Sequence, residues 1–169
     1  AAATRALAYL EAARAVIHEN EAELGRIDAI AGDGDHGVGM RTGIDAACTA
    51  ADPEARLPPM LTAAGDAWSE KAGGTSGALW GAMLAAIGRA LDDEGVEGRA
   101  TLAAAARAAL DAVTSRGGAT VGDKTMVDAL DPYVRTLEER LQAGDALGAA
   151  LLAAAGAAST AAEETAALR

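Results

Sequence analysis

The chain has 169 residues, of which 51% are hydrophobic and only 2% aromatic, and its formal net charge is −11 at pH 7. This length fits one domain whose core is built from small aliphatic side chains, and such side chains suit closely approaching helices. The negative charge argues against nonspecific nucleic-acid binding and against an anionic membrane surface, but a phosphate ligand is compatible where metal ions mask local charge.

The cysteine content and the lengths of the apolar runs indicate the cellular compartment of the chain. Cys48 is the only cysteine, so the chain has no internal disulfide and no thiolate metal cluster, which fits a reducing cytoplasm. No apolar run reaches the roughly 18 residues that span a bilayer, and the N-terminus lacks the pattern of a signal peptide. We therefore expect a cytoplasmic chain, and the missing initiator Met is compatible with a processed or excised piece.

Apolar residues recur at helical spacing along most of the chain, and no run of alternating β-branched residues is convincing as a strand. Pro132 should bend or interrupt the sixth helix, because proline lacks a hydrogen-bond donor. We predict a single all-α domain over residues 1–169, with three glycine-rich loops at helix N-termini. In chain order, the expected helices cover about 4–23, 38–50, 58–71, 75–92, 99–115, a stretch from about 123 that contains Leu137, and 145–168.

Three aspartates, Asp28, Asp33 and Asp35, lie within eight residues between the first two predicted helices, and glycines are interleaved with them. Mg²⁺ prefers hard oxygen ligands, phosphate oxygens commonly complete its shell, and glycines permit the tight turns that would aim the acids at one point. The alternative is an ordinary capped turn, since Asp and Gly are common turn residues. An EF-hand fits poorly, because Ile44 stands where the loop needs a bidentate Glu.

The second glycine-rich loop is Gly-Gly-Thr-Ser-Gly at 73–77, where the fourth helix is expected to begin. Free backbone N–H groups and the positive end of the helix dipole make such a start receptive to phosphate. Thr75 and Ser76 add hydroxyl donors. A plain helix cap is the equally weighted alternative.

The third loop, Gly-Gly-Ala-Thr-Val-Gly-Asp-Lys-Thr-Met at 117–126, is close to a P-loop. Asp123 breaks the required Gly-Lys step and no strand precedes the loop, so a P-loop NTPase is disfavoured. Two interpretations stay open: a wall for a nucleotide, with Met126 covering the base, or a helix–helix turn with Met126 in the core. Trp68 and Trp80 are expected in the core or at an interface.

Together and in this order, these motifs resemble the nucleotide-binding L subunit or domain of dihydroxyacetone kinases, and the resemblance covers nearly the whole chain. It rests on Asp28 followed by Gly-Asp-Gly-Asp-His-Gly (32–37), on Gly-Gly-Thr-Ser-Gly-Ala-Leu-Trp-Gly (73–81), and on Gly-Asp-Lys-Thr-Met-Val-Asp-Ala-Leu (122–130). The resemblance implies an antiparallel barrel of eight amphipathic helices with the nucleotide at one end. Our count of seven helices fits a truncated last helix.

The resemblance also implies a ligand set. Asp28, Asp33 and Asp35 would bind two Mg²⁺ ions that bridge the phosphates of ADP or ATP. The expected contacts with phosphates and ribose are His36, Gly37, Val38, Gly39, Thr75 and Ser76, and those at the adenosine end are Gly117 and Met126.

The chain departs from the family in two respects. Asn is common where this chain has Gly39, and the family continues past Arg169 with a segment that closes over the nucleotide.

By the same resemblance, a separate K subunit or domain holds a small ketose and binds it through its own histidine, so we expect no nucleophile on this chain. Dihydroxyacetone is the family default, and four-carbon ketoses such as erythrulose stay open. The phosphate donor is either exchanging ATP or a resident ADP that a phosphohistidine carrier protein of the sugar phosphotransferase system rephosphorylates. A non-catalytic nucleotide sensor and a purely structural helical domain are the alternatives. The residues identify neither the ketose nor the oligomeric state.

Overall fold

The computed structural model describes residues 2–91 and 98–168. Seven α-helices and one short 3₁₀ helix lie in these ranges, which contain no strand, so the all-α prediction is confirmed. No helix in these ranges is both long and apolar enough to cross a bilayer. The helices are α1 (Ala2–Asp28), α2 (His36–Ala50), α3 (Leu57–Ala72), α4 (Gly74–Ala90), α5 (Arg99–Gly117), α6 (Met126–Gln142), α7 (Leu147–Glu164) and the 3₁₀ helix η1 (Thr165–Ala167).

The structure differs from the predicted course of two helices, α1 and α6. The first helix continues five residues beyond its expected end, to Asp28, and the predicted end of the fourth, near Asp92, lies outside the described residues. An interruption at Pro132 is wrong, because α6 runs through this residue without a break. The missing proline donor costs one hydrogen bond, and the buried side chains that follow, Val134, Leu137 and Leu141, keep the helix in place.

The chain divides into two compact units, one ending at Arg89 and the other beginning at Ala90. In the first unit, α2 packs against both α1 and α3. Ile44 of α2 and Met60 of α3 are its largest fully buried side chains. The prediction of a single domain over residues 1–169 stays a prediction.

Helices α3 and α4 approach each other closely because glycines face each other across their contact. A Cβ atom on Gly65 would lie 2.5 Å from the carbonyl oxygen of Gly81 and 2.6 Å from the amide nitrogen of Ala85. Both neighbours are backbone atoms, which cannot rotate away. The middle of α4 is therefore fixed relative to α3 by backbone contact.

The second unit is organised around α6, which packs against both α5 and α7. Leu137 and Leu141, one turn apart on α6, form a buried cluster with Ala150 and Ala154 of α7. Alanines at the contact let the two helices pack at short range, as the composition indicated.

We expect Gly65→Ala to destabilise the protein by about 1–3 kcal/mol, because its new methyl group would overpack the contact between α3 and α4. Gly148→Ala on α7 is the matched control, since no heavy atom lies within 4 Å of a Cβ built there. This control should be neutral or more stable by up to about 1 kcal/mol. Urea unfolding of both variants measures the difference, and equal stabilities would contradict the close α3–α4 contact.

Candidate functional site

The acidic loop begins at Asp28, the last residue of α1, whose carboxylate organises the turn that follows. Its Oδ2 atom accepts hydrogen bonds from the backbone N–H groups of Gly34, at 2.9 Å, and His36, at 3.4 Å. The N–H of Gly32 donates to the Asp28 carbonyl at 2.6 Å. A Cβ on Gly32 would lie 2.5 Å from the Asp28 carboxylate, so a side chain at this position would displace the carboxylate that organises the turn.

Two glycines return the chain from this loop to the side of α1. Gly34 has a φ of +82°, a backbone conformation that L side chains rarely adopt. Gly37, in the first turn of α2, is buried so close to α1 that a Cβ would overlap the carbonyl of Glu21. The start of α2 is therefore held beside the end of α1.

This geometry brings the three predicted aspartates together. One carboxylate oxygen from each of Asp28, Asp33 and Asp35 lies within 4.8 Å of the others; Asp28 is half-buried and the other two are exposed. The Asp33 carboxylate, with a smaller effect from Asp28, raises the pKa of Asp35 above its usual value. The cluster therefore carries electrostatic repulsion that a bound cation would relieve.

The simple capping alternative does not account for Asp35. This residue is the N-cap of α2, but its side chain makes no capping hydrogen bond. Most N-cap aspartates use the carboxylate to accept from the helix amides. The Asp35 carboxylate is therefore available to a ligand, and hard carboxylate oxygens at this spacing suit a divalent cation such as Mg²⁺.

The acidic cluster lines an open pocket of about 330 Å³ that also reaches the start of α4. Gly73 and Gly74, with φ of +67° and +62°, turn the chain between α3 and α4. Thr75 and Ser76 follow in the first turn of α4, and both line the pocket. A helix N-terminus and two hydroxyl residues therefore share one pocket with the carboxylates.

The apolar part of the pocket lining was not predicted from the sequence. It consists of Met40, Trp68 and Ala72. Trp68 is only 5% exposed and stacks on Trp80, with 6.1 Å between ring centroids and an interplanar angle of 24°. Helical spacing carried a signal for Met40 alone, because it lies one turn beyond the predicted contact His36.

The pocket lining includes most of the predicted ligand contacts of the first unit. His36, Gly39, Thr75 and Ser76 line it together with the three aspartates. Gly37 is buried against α1, and Val38 is 59% exposed and outside the lining. Nucleotide contacts at these positions stay predictions.

In the second unit, the loop before α6 is organised by a buried carboxylate. Asp128, 7% exposed, accepts from the N–H of Gly122 at 2.6 Å and the N–H of Thr125 at 2.8 Å. These backbone donors, Thr125 first, lower the pKa of Asp128. This role of Asp128 was not predicted from the sequence, although Thr125 and Asp128 have the spacing of a capping box.

The two nucleotide contacts predicted in the second unit border this loop. Gly117 is exposed at the end of α5, and Met126 is the half-buried first residue of α6. Between them Lys124 has a φ of +59°, and its Nζ donates to the carbonyl of Leu168 at 3.2 Å. Contacts of Gly117 and Met126 with an adenosine stay predictions.

Comparisons with known proteins agree with the motifs. Residues 30–169 match the DAK2 domain family. The chain is 50% identical over 153 residues to a D-erythrulose kinase of Mycolicibacterium smegmatis, covering 88% of this chain and 26% of that protein. It is 46% identical to an L-erythrulose kinase of Pectobacterium atrosepticum, covering 99% of this chain and 29% of that protein. The chain therefore spans less than a third of these two relatives.

A shorter relative and a solved structure extend the comparison. The ADP-binding subunit DhaL of a PEP-dependent dihydroxyacetone kinase from Listeria innocua is 33% identical, covering 80% of this chain and 69% of the subunit. The crystal structure of the dihydroxyacetone kinase of C. freundii superposes with a TM-score of 0.76 at 27% identity, over 93% of this chain and 28% of that one. The fold that the resemblance implied is confirmed by this likeness.

We expect Asp128→Asn to loosen the loop before α6, because the new amide group would place a donor against one of the two backbone donors. A folded-state pKa below the ordinary value of 3.8 means that the stabilisation is present at neutral pH and is lost only as the pH falls through that lowered pKa. Hydrogen exchange at Gly122 and Thr125 should be faster in the variant near pH 7. Asp111→Asn on α5 is the control. An unchanged exchange rate in Asp128→Asn, or an equal increase in Asp111→Asn, would contradict the role of Asp128 in holding this loop.

We expect Asp35→Asn to raise the melting temperature of the metal-free protein at neutral pH, because it removes one of three clustered negative charges. The raised pKa of an acid means that its repulsion appears as the pH rises above the ordinary value of 3.8, so the gain should vanish in more acidic solution. Asp66→Asn, an exposed position on α3 outside the pocket lining, is the control. Scanning calorimetry with a chelator measures both, and a lower melting temperature for Asp35→Asn would refute the repulsion.

Proposed function

The chain belongs to the DAK2 domain family, and from this premise we propose that it is the nucleotide-binding part of a kinase for a small ketose. The observation that carries the proposal is one pocket in which three clustered carboxylates and a hydroxyl-bearing helix N-terminus occur together. The first group suits divalent cations, and the second suits phosphate. The pocket as a whole suits the metal-bound polyphosphate of ADP or ATP.

Charge balance makes the cations necessary. Among the described residues that line the pocket, none is Lys or Arg, and three are carboxylates. A polyphosphate would be repelled from this lining unless cations separated the two sets of negative charges. Asp28, Asp33 and Asp35 would hold the Mg²⁺ ions, two by the resemblance, and bound Mg²⁺ would neutralise charge on the phosphoryl oxygens.

The protein groups themselves bind and orient the phosphates. Backbone N–H groups in the first turn of α4 carry the positive end of the helix dipole, and the hydroxyls of Thr75 and Ser76 can donate beside them. Within residues 2–91 and 98–168, neither hydroxyl makes a hydrogen bond to another group of the protein. His36, half-buried at the start of α2, is positioned on the acidic side of the pocket.

Phosphoryl transfer needs positioning and charge neutralisation more than covalent participation by the protein. We therefore assign no nucleophile to this chain. The acceptor hydroxyl would come from a ketose held by a separate K subunit or domain. Three relatives that exceed 45% identity are named erythrulose kinases, and this supports a four-carbon ketose over dihydroxyacetone.

Calorimetric titration of the chain with ADP or ATP, with and without Mg²⁺, tests the proposal. We expect binding that depends on Mg²⁺ and that Asp35→Asn weakens by about tenfold or more, since even indirect disturbance of metal ligands has effects of this size. Asp66→Asn should bind like the original protein. Nucleotide binding that is absent, or equal with and without Mg²⁺, would refute the proposed site.

Turnover separates a kinase from a regulator with the same pocket. The chain is mixed with a ketose-binding partner, Mg²⁺, ATP and either erythrulose or dihydroxyacetone, and the sugar phosphate is measured. We expect sugar phosphate as the product, and the preference between the two ketoses reports on the partner that holds the ketose. Tight nucleotide binding without turnover, whether ATP or a phosphohistidine carrier protein is supplied, would favour the non-catalytic regulator.

A further inference from the structure

The turn that leaves α1 presents a run of exposed apolar side chains at the edge of the pocket. Ile27 is 52% exposed and Ile30 is 77% exposed, and the short side chains of Ala29 and Ala31 are exposed beside them. Asp28 is the one charged residue in the stretch 27–32, within a chain of net charge −11. Ile27, Ala29, Ile30 and Ala31 together form an apolar rim.

Backbone hydrogen bonds hold the apolar rim in an ordered turn. The N–H of Ile30 donates to the carbonyl of Ile27 at 3.2 Å, and the N–H of Ala31 donates to the carbonyl of Asp28 at 3.1 Å. A surface that is already ordered loses little conformational entropy when it binds, and this favours association with a partner.

The apolar rim lies beside the pocket but has no chemistry for a nucleotide phosphate. It is interleaved with Asp28 and Asp33, which line the pocket, while none of its own four residues belongs to the lining. Mg²⁺ takes oxygen ligands, which aliphatic side chains lack, and these side chains have no donor for phosphate oxygens either. Exposed apolar groups gathered at one place on a protein surface are instead typical of contacts with another protein.

The geometry of phosphoryl transfer indicates what would cover the apolar rim. The acceptor oxygen has to come within about 3–3.5 Å of the transferred phosphorus, and in the proposed function that oxygen belongs to a ketose on a partner. Such a partner would have to close over the pocket beside Asp28, where contact with the rim would also exclude water. In two erythrulose kinases that this chain resembles, the match covers 26% and 29% of the polypeptide, which leaves ample further structure for this contact.

We propose that the apolar rim is the surface on which the ketose-bearing subunit or domain docks to deliver the acceptor hydroxyl to the phosphates. The inference rests on the proposed function and adds to it the location of the contact. Docking buries Ile27 and Ile30 against an apolar face of the partner, while Asp28 serves the pocket. Partner affinity and nucleotide affinity are therefore separable by substitution.

The test is the double substitution Ile27→Gln and Ile30→Gln, which removes apolar surface and adds no charge beside the three aspartates. Val16→Gln is the matched control, because Val16 is a similarly exposed residue of α1, at 59%, and lies about 16 Å before Ile27 along the helix. Turnover is measured with Mg²⁺, ATP, ketose and increasing concentrations of a ketose-binding K subunit or domain that supports turnover by the original protein.

For the double variant, we expect the partner concentration at half-maximal rate to rise about tenfold or more, because buried apolar anchors contribute affinity on this scale. The rate at saturating partner and the calorimetric affinity for Mg²⁺-ADP should stay as in the original protein. This result, with Val16→Gln like the original protein, supports docking on the rim.

The contrary outcomes separate this inference from the proposed function. If the double variant has the same half-saturating partner concentration as the original protein, the inference is overturned and the proposed function stands. An equal loss of Mg²⁺-ADP affinity also overturns it, since the isoleucines would then support the pocket. Sedimentation in which the original protein dimerises and the double variant does not, with equal turnover, overturns it in favour of a second copy. No turnover by the original protein with any partner refutes the proposed function and the inference with it.

Discussion

The candidate site depends on holding three carboxylates together against their mutual repulsion. The fold does this with backbone contacts: Asp28 accepts from the amides of Gly34 and His36, and Gly37 lets the start of α2 pack directly on α1. Asp33 and Asp35 are then confined to the same few ångströms as Asp28. An arrangement that is unfavourable for the empty protein becomes favourable when cations bind, so the repulsion itself favours ligand binding.

Glycines position the elements that surround this pocket. At Gly37 and Gly65 the absence of a side chain is a packing requirement, because a Cβ would collide with backbone atoms of a neighbouring helix. The first contact holds α2 beside α1, and the second holds α4 beside α3. Glycine lowers the intrinsic stability of the helices that contain it, so the close packing is obtained at a cost in helix stability.

The sequence predicted the residue types of the site better than their surroundings. Charge and glycine spacing are local features that allowed Asp28, Asp33 and Asp35 to converge, and the family resemblance turned this possibility into the prediction. Contributions of Trp68 and Ala72 to the pocket could not be predicted, because they depend on how α3 lies beside α2. The predicted break at Pro132 was wrong, since tertiary packing of α6 outweighs one missing hydrogen bond. Residue types and their local spacing could be predicted from the sequence, and the contacts between helices could not.

The most direct measurement is an anomalous-scattering map from crystals grown with Mn²⁺ and ADP, in which Mn²⁺ replaces Mg²⁺. We expect manganese peaks at coordination distance, about 2.1 Å, from carboxylate oxygens of Asp28, Asp33 and Asp35, with the ADP phosphates extending toward Thr75 and Ser76. Manganese bound elsewhere, or ADP bound without contact to this cluster, would show that the three aspartates are not the metal site.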